Sequence, residues 1–152
     1  MKSLVVLPTY NEAENVIAMI DEVLAQDPSI EVLVVDDGSP DGTGDLVQAK
    51  NALEPRVQLL RRAGKLGLGT AYLAGFNYGL ENGFDQILTM DCDFSHKPSY
   101  LPSMLAGMAD HDVMIGSRYV PGGGVANWPL HRRLLSRFAN LYTRILLRLP
   151  TK

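Results

Sequence analysis

Residues 31–44 are EVLVVDDGSPDGTG, an apolar run followed at once by two aspartates and a turn rich in glycine, proline and aspartate. A short run of valine and leucine that stops at turn residues is typical of a buried strand. The same order recurs at residues 3–7, which are SLVVL and precede Pro8, and at residues 86–90, which precede the acidic stretch DCDFSH. The pattern predicts buried strands that carry polar loops at their carboxyl ends.

Helical spacing of apolar residues separates these runs. Further strands are predicted at residues 57–60 and 112–115, and helices at about residues 11–26, 43–52, 70–80 and 98–108. We expect Pro8 to end the first strand and Asn11 to cap the first helix. Strands that alternate with helices predict an α/β fold, a mostly parallel sheet with helices on both faces. In such sheets the functional site lies at the carboxyl ends of the strands.

Length and composition indicate one soluble domain. The chain has 152 residues, of which 46% are apolar and 20% charged, enough for a sizeable core. Its first apolar run is too short for a signal peptide, and no run approaches the roughly 18 residues of a spanning helix. The single cysteine, Cys92, excludes an intramolecular disulfide and fits a reducing compartment. We therefore expect a cytoplasmic location.

Charge is distributed unevenly along the chain. Residues 118–152 hold seven cationic and no acidic side chains, so the net charge of −3 combines +7 there with −10 before it. Residues 129–149 form a predicted amphipathic helix, with leucine, isoleucine and aromatic residues on a broad arc beside an arginine stripe. Two interpretations stay open: a helix docked on the domain with a solvated arginine face, or an interfacial helix on an anionic membrane.

The Asp91-Cys92-Asp93 segment is the strongest candidate for metal chemistry. In extended geometry Asp91 and Asp93 lie on one side of the strand and Cys92 on the other. Two adjacent carboxylates repel unless a cation separates them, and Mg²⁺ or Mn²⁺ shared with phosphate oxygens meets that need. Ser95 is predicted either to supply a further oxygen ligand or to cap the next helix. The alternative to a metal site is an ordinary turn, and Cys92 is interpreted as a packing residue.

Other polar motifs are less specific. One of Asp36 and Asp37 is expected to face the crevice and the other to hold the turn. The stretch GKLGLG lacks the ending of a P-loop and does not match a dinucleotide fingerprint, so it is interpreted as a flexible connection with Lys65 as a phosphate contact. The three histidines are dispersed, and no nucleophilic triad is indicated.

Taken in order, six stretches resemble the polyprenol-phosphate mannosyltransferases of the dolichol-phosphate mannose synthase type: PTYNEAENV, VVDDGSPDGT, KLGLGTAYLAGF, MDCDFSHKP, GSRYVPGGGV and NWPLHRRLLSRFAN. These are inverting glycosyltransferases with the GT-A nucleotide-sugar fold, and the resemblance covers nearly the whole chain. It implies a three-layer GT-A architecture for this chain.

The resemblance also implies roles for individual residues. The implied donor contacts are Pro8, Tyr10, Glu12, Val35, Asp37, Asp91, Cys92 and Asp93. The implied metal ligands are Asp91, Asp93 and Ser95, holding Mg²⁺ or Mn²⁺. The implied cradle for the acceptor phosphate is Arg118, Arg132 and Ser136, and catalysis is assigned to Asp91, Asp93 and Arg118.

Three departures from the family pattern are visible. The family usually has alanine where this chain has Cys92, and some members have a glutamine ligand where this chain has Ser95. In the family the long helix is followed by further strands and late basic donor contacts, whereas this chain stops at Lys152. We therefore expect one glycosyltransferase catalytic domain over residues 1–152, truncated at its C-terminus, with a basic amphipathic helix at residues 129–149.

By this resemblance the expected function is transfer of mannose from GDP-mannose to a polyprenyl (dolichyl-type) phosphate, with inversion. The expected partners are the nucleotide sugar, the lipid phosphate and the cytosolic face of a membrane in peripheral contact, but not nucleic acid. A separate membrane-anchoring partner is also considered. Two alternatives stay open: a UDP-glucose-dependent enzyme acting on the same lipid, and a non-catalytic fragment that binds nucleotide or associates with membranes.

Overall fold

The structure is a computed structural model that describes residues 1–117, 120, 124 and 129–147. The chain falls into two compact units, Met1–Asp110 and His111–Lys152. The elements of the first unit are β1 (Ser3–Thr9), α1 (Val16–Leu24), β2 (Ile30–Asp36), α2 (Thr43–Asn51), β3 (Val57–Arg61), α3 (Leu68–Glu81), β4 (Gln86–Thr89), a 3₁₀ turn (Pro98–Tyr100) and α4 (Leu101–Gly107).

Four parallel strands form the sheet of the first unit, in the order β3-β2-β1-β4. Alternate side chains of β1 and β2 enter two separate cores. Val5 and Leu7 pack with residues of α1, α2 and α4, whereas Leu4 and Val6 pack with Ala71 of α3. The sheet therefore has helices on both faces, which confirms the predicted three-layer α/β fold.

Helix α3 lies close to the sheet because glycines face it. A Cβ atom at Gly75 would lie 2.5 Å from a methyl group of Val6, and one at Gly79 would lie 2.5 Å from Ile87. Any larger side chain at these two positions would have to displace Val6 or Ile87 or move the helix away from the sheet. The close approach brings the first turn of α3 to the carboxyl ends of β1 and β4.

The first strand does not end at Pro8, contrary to the prediction. Strand β1 continues to Thr9, and Pro8 is in register with Val35 of β2. The Thr9 carbonyl accepts from the Asp37 N–H on the β2 side, so the nitrogen of Pro8 faces the β4 side. Pairing with β4 stops at Val6, and the missing N–H of proline therefore costs no ladder hydrogen bond.

The first helix begins later than predicted. Asn11 has a φ of 62°, in the left-handed region, and the N-cap position of α1 is occupied by Asn15, whose side chain makes no capping hydrogen bond. The prediction followed the preference of asparagine for caps, but the chain at Asn11 is tied to the loop after β2. Helix α1 accordingly starts at Val16.

The second unit contains helix α5, at Leu130–Leu147, within the range predicted for the basic helix. None of its described residues is buried. The strand predicted at residues 112–115 is wrong, because no strand forms among the described residues 111–117. Val113 and Ile115 are 71% and 73% exposed. A three-residue apolar run was the only signal there, and such runs are ambiguous.

Candidate functional site

The loops that follow β1 and β2 are joined by hydrogen bonds. The Asn11 N–H donates to Ser39 Oγ, and the Ala13 N–H donates to Asp41 Oδ2, both at 3.0 Å. The Thr43 hydroxyl donates to Asp41 at 2.6 Å, and this hydrogen bond holds the pKa of the Asp41 carboxyl below its usual value. The two polar loops therefore form one surface at the carboxyl edge of the sheet.

Asp36 and Asp37 are both buried, at 3% and 6% exposure, and have different tasks. Asp36 accepts from the Thr9 hydroxyl at 3.2 Å and from the hydroxyl and N–H of Ser39, so it holds the turn. Asp37 lines a pocket instead. The expectation that one carboxylate faces the crevice while the other holds the turn is thus confirmed.

The Asp37 carboxylate is compensated by Arg62, which follows β3. The Arg62 guanidinium forms a buried ion pair with Asp37, and the Leu66 N–H donates to Asp37 Oδ2 at 3.2 Å. Arg62 also donates to the Thr70 hydroxyl at 2.7 Å and to the Gly67 carbonyl at 3.2 Å. These bonds fasten the GKLGLG stretch to the end of β2, so in the structure that stretch has defined hydrogen-bond partners.

An open pocket lies between the β1 loop and the beginning of α3. Its lining consists of Pro8, Thr9, Tyr10, Asp37, Lys65, Gly67, Leu68 and Ala71. The Lys65 ammonium group lies 4.3 Å from the centre of the Tyr10 ring, a cation–π contact. An aromatic face, a fixed carboxylate and an ammonium group suit a planar, polar ligand with nearby negative charge.

The Asp91-Cys92-Asp93 segment follows β4 with the expected alternation of exposure. Cys92 is 2% exposed and belongs to the α1-side core, whereas the Asp91 side chain is 44% exposed and Asp93 is exposed. Burial and the charges of Glu12 and Asp93 raise the pKa of the Cys92 thiol to about 12. The thiol is therefore protonated at neutral pH and does not act as a nucleophile there.

Neighbouring groups hold the two exposed aspartates. The Tyr72 hydroxyl donates to Asp91 Oδ1 at 3.2 Å, and the Asp91 N–H donates to His96 Nδ1 at 3.0 Å. Burial and the Asp91 charge raise the pKa of Tyr72 to about 12. Hydrogen bonds from Ser95 to Asp93 hold the pKa of Asp93 below its usual value. His96 therefore lies beside Asp91. The N-cap position of the 3₁₀ turn is occupied by Lys97.

The donor set of this segment fits a hard divalent cation that also binds substrate. Two partly exposed carboxylates offer oxygen ligands, the type that Mg²⁺ and Mn²⁺ prefer. The described residues contain no group of three or more His, Cys, Asp or Glu able to hold an ion by themselves. A cation held here would therefore take its other ligands from phosphate oxygens, water or Ser95.

The structure brings some of the predicted donor residues together and leaves others apart. Pro8, Tyr10 and Asp37 line the pocket. Glu12 is half-buried and accepts from the Asn15 side-chain amide at 2.9 Å. Val35 is fully buried in the core beneath α3, and Cys92 is buried in the opposite core. Because neither Val35 nor Cys92 reaches the surface, any role in donor binding falls to their neighbours in this conformation.

The predicted acceptor residues belong to the second unit. Arg132 and Ser136 both lie on α5, four positions apart, with Arg132 exposed and Ser136 half-buried. Residues at this spacing share a helix face. Arg118, the third member of the predicted cradle, lies outside the described residues, as do Arg148 and Lys152.

Two residues of the site were missed by sequence reasoning. Arg62 follows the third strand, so polarity at a carboxyl strand end was the signal that could have found it. Tyr72 had no such signal, because an aromatic residue within a helix is normally assigned to packing. Its position beside Asp91 depends on the close approach of α3 to the sheet.

A parallel sheet with an open polar pocket and an Asp-x-Asp segment at its carboxyl edge is the arrangement of a nucleotide-sugar glycosyltransferase with the GT-A fold. Residues 4–151 match the model of the family described as Glycosyl transferase family 2. The chain belongs to that family.

The curated relatives carry names of polyprenol-phosphate mannosyltransferases, the group that the sequence motifs resemble. The chain is 47% identical over 147 residues to the undecaprenyl-phosphate mannosyltransferase of Micrococcus luteus, covering 97% of this chain and 60% of the relative. It is 49% identical over 148 residues to the polyprenol monophosphomannose synthase of Mycolicibacterium smegmatis, covering 96% and 56%. It is 40% identical over 151 residues to the dolichol-phosphate mannosyltransferase of Pyrococcus furiosus, covering 97% and 42%.

Solved structures support the same fold. The mannosyltransferase PcManGT from Pyrobaculum calidifontis, in complex with GDP-Man and Mn²⁺, superposes with a TM-score of 0.61 at 25% identity, over 77% of this chain and 36% of that one. S. aureus TarS in complex with UDP superposes with a TM-score of 0.57 at 26% identity, over 84% and 38%. The chain spans about three fifths of its bacterial relatives at most. Among the described residues, no helix is long and apolar enough to cross a membrane.

Proposed function

We propose that this chain is the catalytic domain of a polyprenyl-phosphate mannosyltransferase, which transfers mannose from GDP-mannose to a lipid phosphate with inversion. The observation that carries the proposal is the pocket beside Asp37 on the same sheet edge as Asp91 and Asp93. The relatives named as polyprenol-phosphate and dolichol-phosphate mannosyltransferases support this substrate class.

The proposed transfer reaction depends more on stabilising the negative charge of the departing diphosphate than on a general base. The acceptor phosphate is already an anion at neutral pH, since its second pKa is about 6. The departing diphosphate accumulates negative charge, and the sugar passes through an oxocarbenium-like state. Asp91 and Asp93, with Ser95 as a further candidate, would hold Mg²⁺ or Mn²⁺, which supplies Lewis-acid stabilisation of the diphosphate when bound.

The remaining donor contacts are assigned to the pocket. Tyr10 offers an aromatic face and Pro8 an apolar edge, while Asp37 is positioned to accept from N–H groups of a base. Lys65, which lies over the Tyr10 ring, is proposed to contact a donor phosphate. Arg62 belongs to this set as the ion-pair partner that holds the Asp37 carboxylate in place.

The acceptor side is assigned to the second unit. Arg118, Arg132 and Ser136 are proposed to hold the lipid phosphate, since arginine binds phosphate oxygens in a bidentate manner. The exposed apolar residues and arginines of α5 suit peripheral contact with an anionic leaflet. We assign that contact to the cytosolic face and propose a separate membrane-anchoring polypeptide as a partner.

The direct test is transfer of labelled mannose. We expect the chain to convert GDP-mannose and a short polyprenyl phosphate, in the presence of Mn²⁺, into a lipid phosphomannose with the inverted anomeric configuration. UDP-glucose under the same conditions is the matched control for donor choice. Faster transfer from UDP-glucose would reverse the donor assignment. Binding of GDP without any transfer would reduce the chain to a nucleotide-binding fragment.

The acceptor assignment is tested by two arginines of α5. We expect Arg132→Ala to weaken binding of a soluble short-chain polyprenyl phosphate by about 1.5–3 kcal/mol, the scale of a hydrogen bond to a charged group, and to leave GDP binding unchanged. Arg144→Ala, on the arginine stripe, is the control and should weaken attachment to anionic vesicles instead. Identical effects of the two substitutions would show one undifferentiated basic surface.

A further inference from the structure

The Asp91 side chain is hydrogen-bonded to helix α3. The hydrogen bond described for the Asp93 side chain comes from its own loop. The Tyr72 hydroxyl, from the first turns of α3, donates to Asp91 Oδ1 at 3.2 Å. Asp93 Oδ1 instead accepts from the N–H of Ser95, two residues along the chain. Only the first of these bonds connects the acidic segment with a helix that packs on the sheet.

The contact leaves the second oxygen of Asp91 for another ligand. Asp91 Oδ2 lies 3.9 Å from His96 Nδ1, beyond hydrogen-bond distance. His96 Nδ1 accepts from the Asp91 N–H at 3.0 Å, so it holds the main chain of the segment. The carboxylate is thus restrained at one oxygen by Tyr72 and at its backbone by His96.

We propose that Tyr72 is a positioning residue that holds Asp91 Oδ1 and thereby fixes Asp91 Oδ2 as the oxygen that binds a divalent cation. The inference rests on the proposed function, in which Asp91 is a metal ligand. Groups that hydrogen-bond a metal ligand orient it before the ion arrives, and their loss weakens metal affinity by about 10- to 100-fold.

The position of Tyr72 within α3 also connects the two parts of the site. Thr70 and Ala71 precede it, and the Thr70 hydroxyl accepts from Arg62, the partner of Asp37. Ala71 lines the pocket. One turn of helix therefore restrains the pocket through Thr70 and the metal segment through Tyr72, and the Tyr72 bond is the part of this arrangement that acts on the metal.

The test is Mn²⁺ binding to the chain in the presence of saturating GDP, followed by the electron paramagnetic resonance signal of free Mn²⁺. We expect Tyr72→Phe to weaken Mn²⁺ binding about tenfold and to leave GDP binding in EDTA unchanged. The substitution keeps the ring and its stacking on Phe76, at 6.5 Å between centroids. Tyr78→Phe is the matched control, since Tyr78 is on the same helix and packs against Phe84 instead.

The results of the Mn²⁺ titration distinguish failure of this inference from failure of the proposed function. Unchanged Mn²⁺ affinity in Tyr72→Phe, with wild-type binding intact, would overturn this inference and leave the metal assignment standing. Equal losses of Mn²⁺ affinity and metal-free GDP affinity would also overturn it, because Tyr72 would then support the whole pocket. Failure of the wild-type chain to bind Mn²⁺ would overturn the metal assignment of the proposed function as well as the inference.

Discussion

The loops after β2 and β4 both begin with acidic residues at the same edge of one parallel sheet, and the structure treats them differently. Asp36 and Asp37 are almost fully buried, and their oxygens accept from hydroxyls, N–H groups and a guanidinium. The Asp91 side chain is 44% exposed and Asp93 is exposed. Identical side chains at equivalent strand ends thus serve two purposes.

The two loops differ in the groups that contact their carboxylates. In the β2 loop Asp37 forms an ion pair with Arg62, so the negative charge of this carboxylate is compensated by the protein, and we call this loop the compensated loop. The β4 loop receives a neutral tyrosine hydroxyl and a histidine nitrogen that accepts a hydrogen bond. Uncompensated carboxylates raise the affinity for an external cation, whereas compensated ones build a fixed surface for a ligand.

The largest effect is expected from removing the cation of the compensated loop. Arg62→Ala leaves Asp37 buried without its partner and should lower the free energy of unfolding by about 3–5 kcal/mol. Urea denaturation measures the loss. Arg61→Ala is the matched control, because the adjacent Arg61 pairs with exposed Asp45 and should cost at most about 1 kcal/mol. Equal losses in the two variants would remove the distinction between the loops.

The exposed pair should behave in the opposite way. Asp91→Asn and Asp93→Asn are each expected to weaken Mn²⁺-dependent GDP binding by about 10- to 100-fold, the scale of a lost metal-site interaction, while unfolding changes by less than about 1 kcal/mol. Calorimetric titration with Mn²⁺ and GDP measures binding. Unchanged affinity in both variants would contradict the metal assignment.

The fold was predictable because the buried strands are nearly continuous apolar runs. The runs around Val5 and Val34 mark parallel strands covered on both faces, and the polar residues after them mark the edge that carries the site. That one of Asp36 and Asp37 faces the pocket while the other holds the turn followed from this reasoning, and the structure assigns the pocket to Asp37. Cys92 was correctly assigned to packing by alternation along an extended chain.

What could not be predicted depends on contacts between distant parts of the chain. The left-handed conformation of Asn11 follows from its bond to Ser39, 28 positions along the chain. The position of Tyr72 follows from two glycines that let α3 approach the sheet. Strand signals at residues 112–115 were too short to distinguish a strand from an irregular segment.

A smaller effect is expected from Cys92, the residue between the two exposed carboxylates. Cys92→Ala removes one buried sulfur atom and should lower the free energy of unfolding by about 1 kcal/mol, with Mn²⁺ and GDP binding unchanged. In the wild-type chain, burial and a pKa of about 12 should keep the thiol unreactive towards iodoacetamide at pH 8 until urea unfolds the protein. Loss of metal binding in Cys92→Ala, with the fold intact, would assign a ligand role to the sulfur.

The smallest effect concerns Asp41, the exposed acid of the compensated loop, whose pKa is lowered mainly by the Thr43 hydroxyl. A carboxyl with a folded pKa below its unfolded value of about 3.9 stabilises the fold above that pH, and the contribution disappears as the pH falls through the folded pKa. In urea denaturation Asp41→Asn should therefore be less stable than wild type at pH 7, and the two should converge as the pH falls through the folded pKa of Asp41. Asp110→Asn, at an exposed position after α4, controls for the loss of one surface charge. A difference between Asp41→Asn and wild type that does not shrink as the pH is lowered would mean that Asp41 acts through the geometry of its hydrogen bonds and not through its charge.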